Sequence, residues 1–211
     1  ILLNIFRIKK HIKSNIDLVI TKGLLNHFAS GLACKCLIIP VICHLQDLIT
    51  NRYFGFMKYI FNIFAKFIPS YVICDGQSIQ KQLGKNNKTK SIVILNGIKT
   101  DTFIPNKESR LKIRDELKIP IDGYVIGHVA RVTPWKGQDL LLKAFLNYST
   151  QNPNAYLLLI GTFLFDNDHY YNSIIKILES NSLSHRVIMP GYRDDLQAMY
   201  SAMDLFLYPS L

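Results

Sequence analysis

Short apolar runs that close on a glycine or a polar residue alternate with helical patterns along nearly the whole sequence, and that alternation leaves few folds open. In the second half, Tyr124 to Val132, Tyr156 to Ile160, Val187 to Met189 and Leu205 to Tyr208 read as buried strands, with helices at Lys136 to Thr150, Tyr170 to Ser180 and Asp194 to Ala202 between them. The first half repeats the pattern. Strands are expected at Ile16 to Thr21, Leu37 to His44, Tyr71 to Cys74 and Ser91 to Leu95, and helices at Leu24 to Cys34, at Asn51 to Ile68 and from Cys74 through Leu83. Strand, helix, strand in repetition requires crossover connections, hence parallel sheets with helices on both faces. Thr100 to Ser109 lacks periodicity and contains Pro105. The expected fold is therefore α/β with two Rossmann-like parallel-sheet domains, residues 1–100 and 120–211. Residues 101–119 form the linker, in which a small helix, Ser109 to Leu117, leads into the second domain. Two such domains leave a cleft at the strand carboxyl ends, the default ligand site.

The junction between Tyr124–Val132 and the next helix carries chemistry. Arg131 falls at the carboxyl end of the strand, Lys136 at the first turn of the helix, and Pro134 and Gly137 mark the turn between them. A cation at a helix start opposes the macrodipole unless an anion joins it, so Lys136 points to a bound phosphate. The plain alternative is a solvated lysine with Arg131 in a surface ion pair.

Charge separates the two halves. Up to Pro105, 14 Lys and Arg stand against 4 Asp and Glu; from Asn106 onward there are 11 of each, so the net +10 lies entirely in the first half. That asymmetry suggests an acidic partner, nucleic acid or an anionic membrane face, or else solvated loops such as KNNKTK (Lys85 to Lys90). No nucleic-acid reader motif accompanies the charge, so nucleic acid is not the expected partner. Ile1 to Lys13 reads as a basic amphipathic helix, either packed on a sheet or lying on a membrane surface. Asn51 to Ile68 carries seven Phe and Tyr, which usually means core packing, with lipid contact as the other use. Cys34, Cys36, Cys43 and Cys74 read as small core residues in a reducing compartment, without zinc spacing. No uncharged apolar run approaches the roughly 18 residues needed to span a bilayer. The chain opens on Ile1 and stops just after an apolar strand pattern, so it reads as a fragment cut at both ends.

HVARVTPWKGQDLLLKAF, LLLIGT and VIMPGYRDDLQAMYSAMDLFLYPS, preceded by VICDGQSIQKQL and IVILNGIKTDTFIP, are similar in order and spacing to the retaining GT-B glycosyltransferases of family 4, the group 1 glycosyltransferases. The resemblance runs from about Asp17 to Ser210. It implies two Rossmann-like domains in GT-B architecture, both incomplete here, with a nucleotide-diphosphate-sugar donor between them as substrate. Arg131 and Lys136 match the residues that neutralise the donor diphosphate, without a metal or other cofactor. Gly191 and Tyr192 match the segment that contacts the nucleobase, and Gly161 the loop after the second strand; as plain residues, both glycines are ordinary turn positions.

The resemblance further implies a hexosyltransferase acting with retention on a glycan or lipid-linked acceptor in surface polysaccharide synthesis. The basic first half adds the expectation of a cytoplasmic enzyme, peripheral at the inner membrane face. Three departures accompany the resemblance. The family's paired glutamates would begin just beyond Ser210, and the opening strand and glycine-rich loop of the first domain are missing, so this fragment alone is expected to be inactive. The family's active-site histidine falls either at His44 or at position 46, which is Gln46, and Gly76 stands where relatives carry Ser. The other readings are a GT-B nucleotide-sugar epimerase and a non-catalytic nucleotide-binding or membrane-associated module.

Overall fold

The apolar runs of the first half become four parallel strands: β1 (Val19–Lys22), β2 (Val41–Leu45), β3 (Tyr71–Cys74) and β4 (Ser91–Val93), paired in that order. The helices of this half are α1 (Leu2–His11), α2 (Leu24–Cys36), α3 (Phe56–Phe67) and two single turns, α4 (Gln77–Gln80) and α5 (Lys85–Lys88). The computed structural model describes residues 2–12, 15–49, 56–162, 168–181 and 184–210. Residues 51–55, and with them Arg52, Tyr53 and Phe54 of the expected aromatic helix, lie outside the described residues, as do Ile1, Lys13 and Leu211. The chain divides into two compact units, Ile1–Ile98 and Lys99–Leu211.

Successive strand residues face opposite sides of a sheet. Val41, Cys43 and Leu45 of β2 and Val72 and Cys74 of β3 therefore share one face, covered by Phe28 and Cys34 of α2 and by Phe61, Phe64 and Ala65 of α3. Phe28 and Phe64 meet edge to face, with ring centroids 4.9 Å apart. Burial pushes the Cys43 and Cys74 thiols up to about 11, which keeps them unreactive. Cys36 corrects the expectation of four core cysteines, because it is exposed. It follows Cys34 by two residues, roughly 200° further round the helix, so the two cannot face the same core.

Two other expectations change. KNNKTK is not simply a solvated loop: it opens with the helical turn α5, and Asn87 is buried and donates to Asn62 O at 2.8 Å. The aromatic helix is not only core. Phe61, Phe64 and Ala65 are buried, whereas Phe56, Tyr59, Ile63 and Phe67, on a second stripe at helical spacing, are 60%, 64%, 46% and 61% exposed. Among the described residues no helix is long and apolar enough to cross a membrane.

In the second unit, β5 (Tyr124–Val129), β6 (Ala155–Ile160), β7 (Val187–Gly191) and β8 (Leu205–Phe206) form a parallel sheet in the order β7-β6-β5-β8. Its helices are α6 (Lys107–Glu116), α7 (Gln138–Gln151), α8 (Asp168–Glu179) and α9 (Leu196–Ala202). Residues of alternate parity build two cores. Ile126, Leu157 and Leu159 meet Leu141, Leu142 and Phe145 of α7 and Ile174 and Leu178 of α8, while Val125, Leu158 and Ile160 meet Ile113 of α6 and Met199 and Ala202 of α9. Gly127 leaves room for Met203, since a Cβ there would lie 2.0 Å from its sulfur. Both units are thus parallel α/β sheets flanked by helices, the two Rossmann-like domains that the repeating pattern predicts. The chain winds outward from β5 to β7 and then returns to β8 on the other side of β5, so the winding reverses between β5 and β8.

Candidate functional site

Pairing continues past the end of β5. Ala130 N–H donates to Ile160 O at 3.0 Å, Val132 N–H to Thr162 O at 3.0 Å, and Gly161 N–H to Gly191 O at 2.9 Å. Arg131, Gly161 and Gly191 are thereby set side by side along the carboxyl edge of the sheet, with Tyr192, 75% exposed, directly after them. Gly161 has φ +136, and a Cβ on it would lie 2.0 Å from Ala130 O, so only glycine fits between the ends of β5 and β6. Gly191 has φ +80 with open space where a side chain would stand. Gly161→Ala is expected to cost at least about 1 to 3 kcal/mol, measured as a lower urea midpoint.

Arg131 is exposed, and its backbone carbonyl accepts from Gln138 Nε2 at 2.8 Å. Its guanidinium has no partner among the described residues. The other arginines of this unit, Arg110, Arg114, Arg186 and Arg193, all bond to carboxylates or carbonyls. Among the described residues, the surface ion pair that a plain reading of Arg131 allows is not formed.

Lys136, the expected helix start, lies two residues before the helix. It ends a short 3-10 turn, Pro134–Lys136, and α7 begins at Gln138 after Gly137, whose φ of 68 makes the break. The first turn of α7 already has an acidic residue, Asp139, whose N–H donates to Tyr170 Oη at 3.1 Å while Tyr170 Oη donates back to Asp139 Oδ1 at 2.8 Å. The expectation of an anion held by free helix N–H groups thus shifts to the side chains of Arg131 and Lys136. Lys136 Nζ hydrogen-bonds Tyr208 Oη and stands 4.9 Å from the centre of that ring. This contact bridges the carboxyl ends of β5 and β8, where the winding reverses, which is where open α/β sheets bind ligands.

The first unit has its own cluster at the carboxyl ends of β2, β3 and β4. His44 Nε2 hydrogen-bonds Asp75 Oδ1, Asn96 Nδ2 donates to Asp75 Oδ2 at 3.2 Å, and the Gln46 side chain bonds to the same carboxylate. Burial pushes the Asp75 carboxyl up, but the bonds from His44, Asn96 and Gln46 outweigh it and hold the group below its ordinary value. A charged Asp75 thus fixes the His44 ring. Sequence reasoning singled out His44 and weighed position 46, but not Asp75 or Asn96. The available signal was their position just beyond the strand runs YVIC and SIVIL. Among the described residues no group of three His, Cys, Asp or Glu is placed to hold a metal ion.

Residues 109–211 match the family described as Glycosyl transferases group 1. The chain is 26% identical over 214 residues to the O-antigen biosynthesis glycosyltransferase WclY of Escherichia coli, covering 96% of this chain and 57% of that protein. It is 24% identical over 163 residues to the capsular polysaccharide biosynthesis glycosyltransferase CapM of Staphylococcus aureus, covering 74% of this chain and 41% of CapM. Among solved structures, Anabaena Alr3699/HepE in complex with UDP and glucose shares the fold, with a TM-score of 0.81 and 24% identity over 92% of this chain and 52% of that one. The chain spans about half the length of the relatives it matches. The second half of the chain is thus similar to the group 1 glycosyltransferases.

Proposed function

We infer that this chain belongs to a group 1 glycosyltransferase that moves a sugar, with retention, from a nucleotide-diphosphate-sugar donor to a glycan or lipid-linked acceptor in surface polysaccharide synthesis. The observation that carries the reading is Arg131. It is an exposed guanidinium without a partner among the described residues, beside the glycine that leaves the backbone open and next to the reversal of the chain. A departing nucleoside diphosphate gathers negative charge in the transition state, and Arg131 with Lys136 neutralises it there without a metal. Gly191 and Tyr192 take the nucleobase, and the Gly161 loop the adjoining part of the donor. In the first unit His44, held through Nε2 by Asp75, is the candidate catalytic residue. The UDP and glucose bound by HepE support a UDP-sugar as the first donor to try. Calorimetric titration of the full-length protein with UDP-, GDP- and ADP-sugars tests the assignment: one of them is expected to bind, and Arg131→Ala to weaken it. Silence toward all three leaves only a non-catalytic module, and an epimerised sugar nucleotide formed without acceptor identifies an epimerase.

A second reading concerns the first unit, which carries the whole positive excess and the exposed stripe of Phe56, Tyr59, Ile63 and Phe67 beside Lys58 and Lys66. Aromatic side chains flanked by lysines suit the interface of an anionic membrane, so the protein works peripherally at the cytoplasmic face. An open groove of about 280 Å³ beside this stripe, lined among others by Tyr59, Ile63, Lys66 and Lys85, fits the same contact. Binding to phosphatidylglycerol vesicles is expected to fall with added salt and to drop about tenfold in a Phe56→Ser/Phe67→Ser variant. Binding indifferent to both changes would rule this surface out.

A further inference from the structure

We propose that Tyr208 is a positioning residue for Lys136, holding its ammonium at the topological switch until a donor diphosphate takes over the contact. The proposal rests on the donor-site reading above and assigns a role to a residue that reading left without one.

Lysine ends in a compact charge on a flexible four-carbon stem, so a lysine that must meet a phosphate needs a partner to limit its freedom. Tyr208 supplies two. Its hydroxyl is bonded to Lys136 Nζ, and the centre of its ring lies 4.9 Å from the same nitrogen. The ring itself is backed. His128, 1% exposed, lies tilted against it with centroids 5.6 Å apart and is anchored by Nδ1 on Leu207 O at 2.9 Å, and Phe206 stacks on it at 6.2 Å. The segment is also tied to the lysine's own turn. Ser210 Oγ donates to Trp135 O at 3.0 Å, and Gly137 packs so closely on Pro209 that a Cβ would lie 2.4 Å from its carbonyl oxygen.

Tyr208 is 49% exposed, so the contact is at the surface, where a ligand reaches it. The phenol oxygen is a neutral acceptor, and a diphosphate oxygen is an anionic and stronger one. The ligand therefore displaces the hydroxyl and leaves the ammonium on the ring, already placed, which lowers the ordering cost of binding.

The test is calorimetric binding of UDP, GDP and ADP to the full-length protein, continued with whichever binds. Tyr208→Leu is expected to weaken binding about tenfold. Tyr208→Phe, which keeps the ring, is expected to retain most of the affinity. Tyr208→Leu is expected to add no loss in a Lys136→Ala background, with the thermal midpoint of the unliganded protein unchanged. Tyr208→Gln, which keeps an oxygen but not the ring, serves as a second truncation with the same expected loss. Equal losses from Tyr208→Leu in both backgrounds, or wild-type affinity in both truncations while Lys136→Ala loses it, overturn this proposal alone. No binding of any of the three nucleotides by the wild type overturns the donor-site reading, and this proposal with it.

Discussion

Arg131→Ala in the full-length protein is expected to cut kcat for sugar transfer by roughly 30- to 1,000-fold, about 2 to 4 kcal/mol of transition-state stabilisation, and Lys136→Ala by a similar factor. On the proposed donor-site reading both side chains face charge that develops as the nucleoside diphosphate leaves, so kcat should fall more than KM rises. Arg131 makes no side-chain bond among the described residues, so its removal orphans no buried group, and the thermal midpoint should stay at the wild-type value. Among the described residues Lys136 is bonded to Tyr208 alone, and its loss frees a half-exposed hydroxyl that water satisfies. The pair of readouts, lost turnover with retained stability, separates a ligand-binding cation from a structural one. Near-wild-type turnover in both variants would refute the diphosphate assignment.

Arg114→Leu is expected to do the reverse, destabilising the second unit by about 3 to 5 kcal/mol. Arg114 is 1% exposed, yet every side of its guanidinium is used. Nε donates to Ala202 O at 3.1 Å, NH1 to Ile121 O at 2.7 Å and Gly123 O at 2.8 Å, and NH2 to Asp204 Oδ2 at 2.8 Å. Asp204 in turn accepts from Val125 N–H at 2.7 Å and from Arg110 at 2.6 Å, so the network clamps α6 and the start of β5 to the segment before β8. Removing the arginine leaves the carbonyls of the buried Ala202 and Gly123 without this donor and takes one partner from Asp204, which keeps Arg110 and the Val125 N–H. By contrast the more exposed pair of Arg193 with Glu116 is worth about 0 to 1 kcal/mol. Urea unfolding measures both, and an Arg114→Leu cost under about 1 kcal/mol would contradict the clamp.

The same network sets an acid limit. Burial pushes the Asp204 carboxyl up, but the Val125 N–H, Arg110 and Arg114 outweigh it and hold it below the ordinary 3.8. The unfolded chain therefore takes up this proton at higher pH than the folded one. The stabilisation from Asp204 is full above the ordinary carboxylate range and is lost as pH falls through and below 3.8. Asp204→Asn should flatten that part of the stability profile.

Several features were legible from short stretches. The strand of β5, the turn at Pro134 and Gly137 and the apolar face of α7 announce themselves within about 20 residues, and Arg131 could be placed at a strand end without knowing what the strand pairs with. Gly161 and Gly191 were readable for the same reason, as the residues that close apolar runs. Other features were not. Arg114 reads as a solvated charge on a polar helix and is instead among the most buried residues. The aromatic helix α3 has one polar stripe, Lys58, Asn62 and Lys66, but its apolar residues are too many for one buried face, so the pattern did not reveal which of them stay exposed. Asp75 stands 31 residues from the histidine it holds, and Tyr208 stands 72 from the lysine it meets.

By itself, then, the sequence determined the two parallel α/β sheets and the strand-end cations, because periods of 2.0 and 3.6 residues are local consequences of backbone geometry. The tertiary structure decided the partners: Tyr208 under Lys136, Asp75 on His44 and Asp204 on Arg114. Those contacts depend on strand order, above all on β8 returning beside β5. Strand order arises from packing between segments far apart in the chain, which no local period encodes.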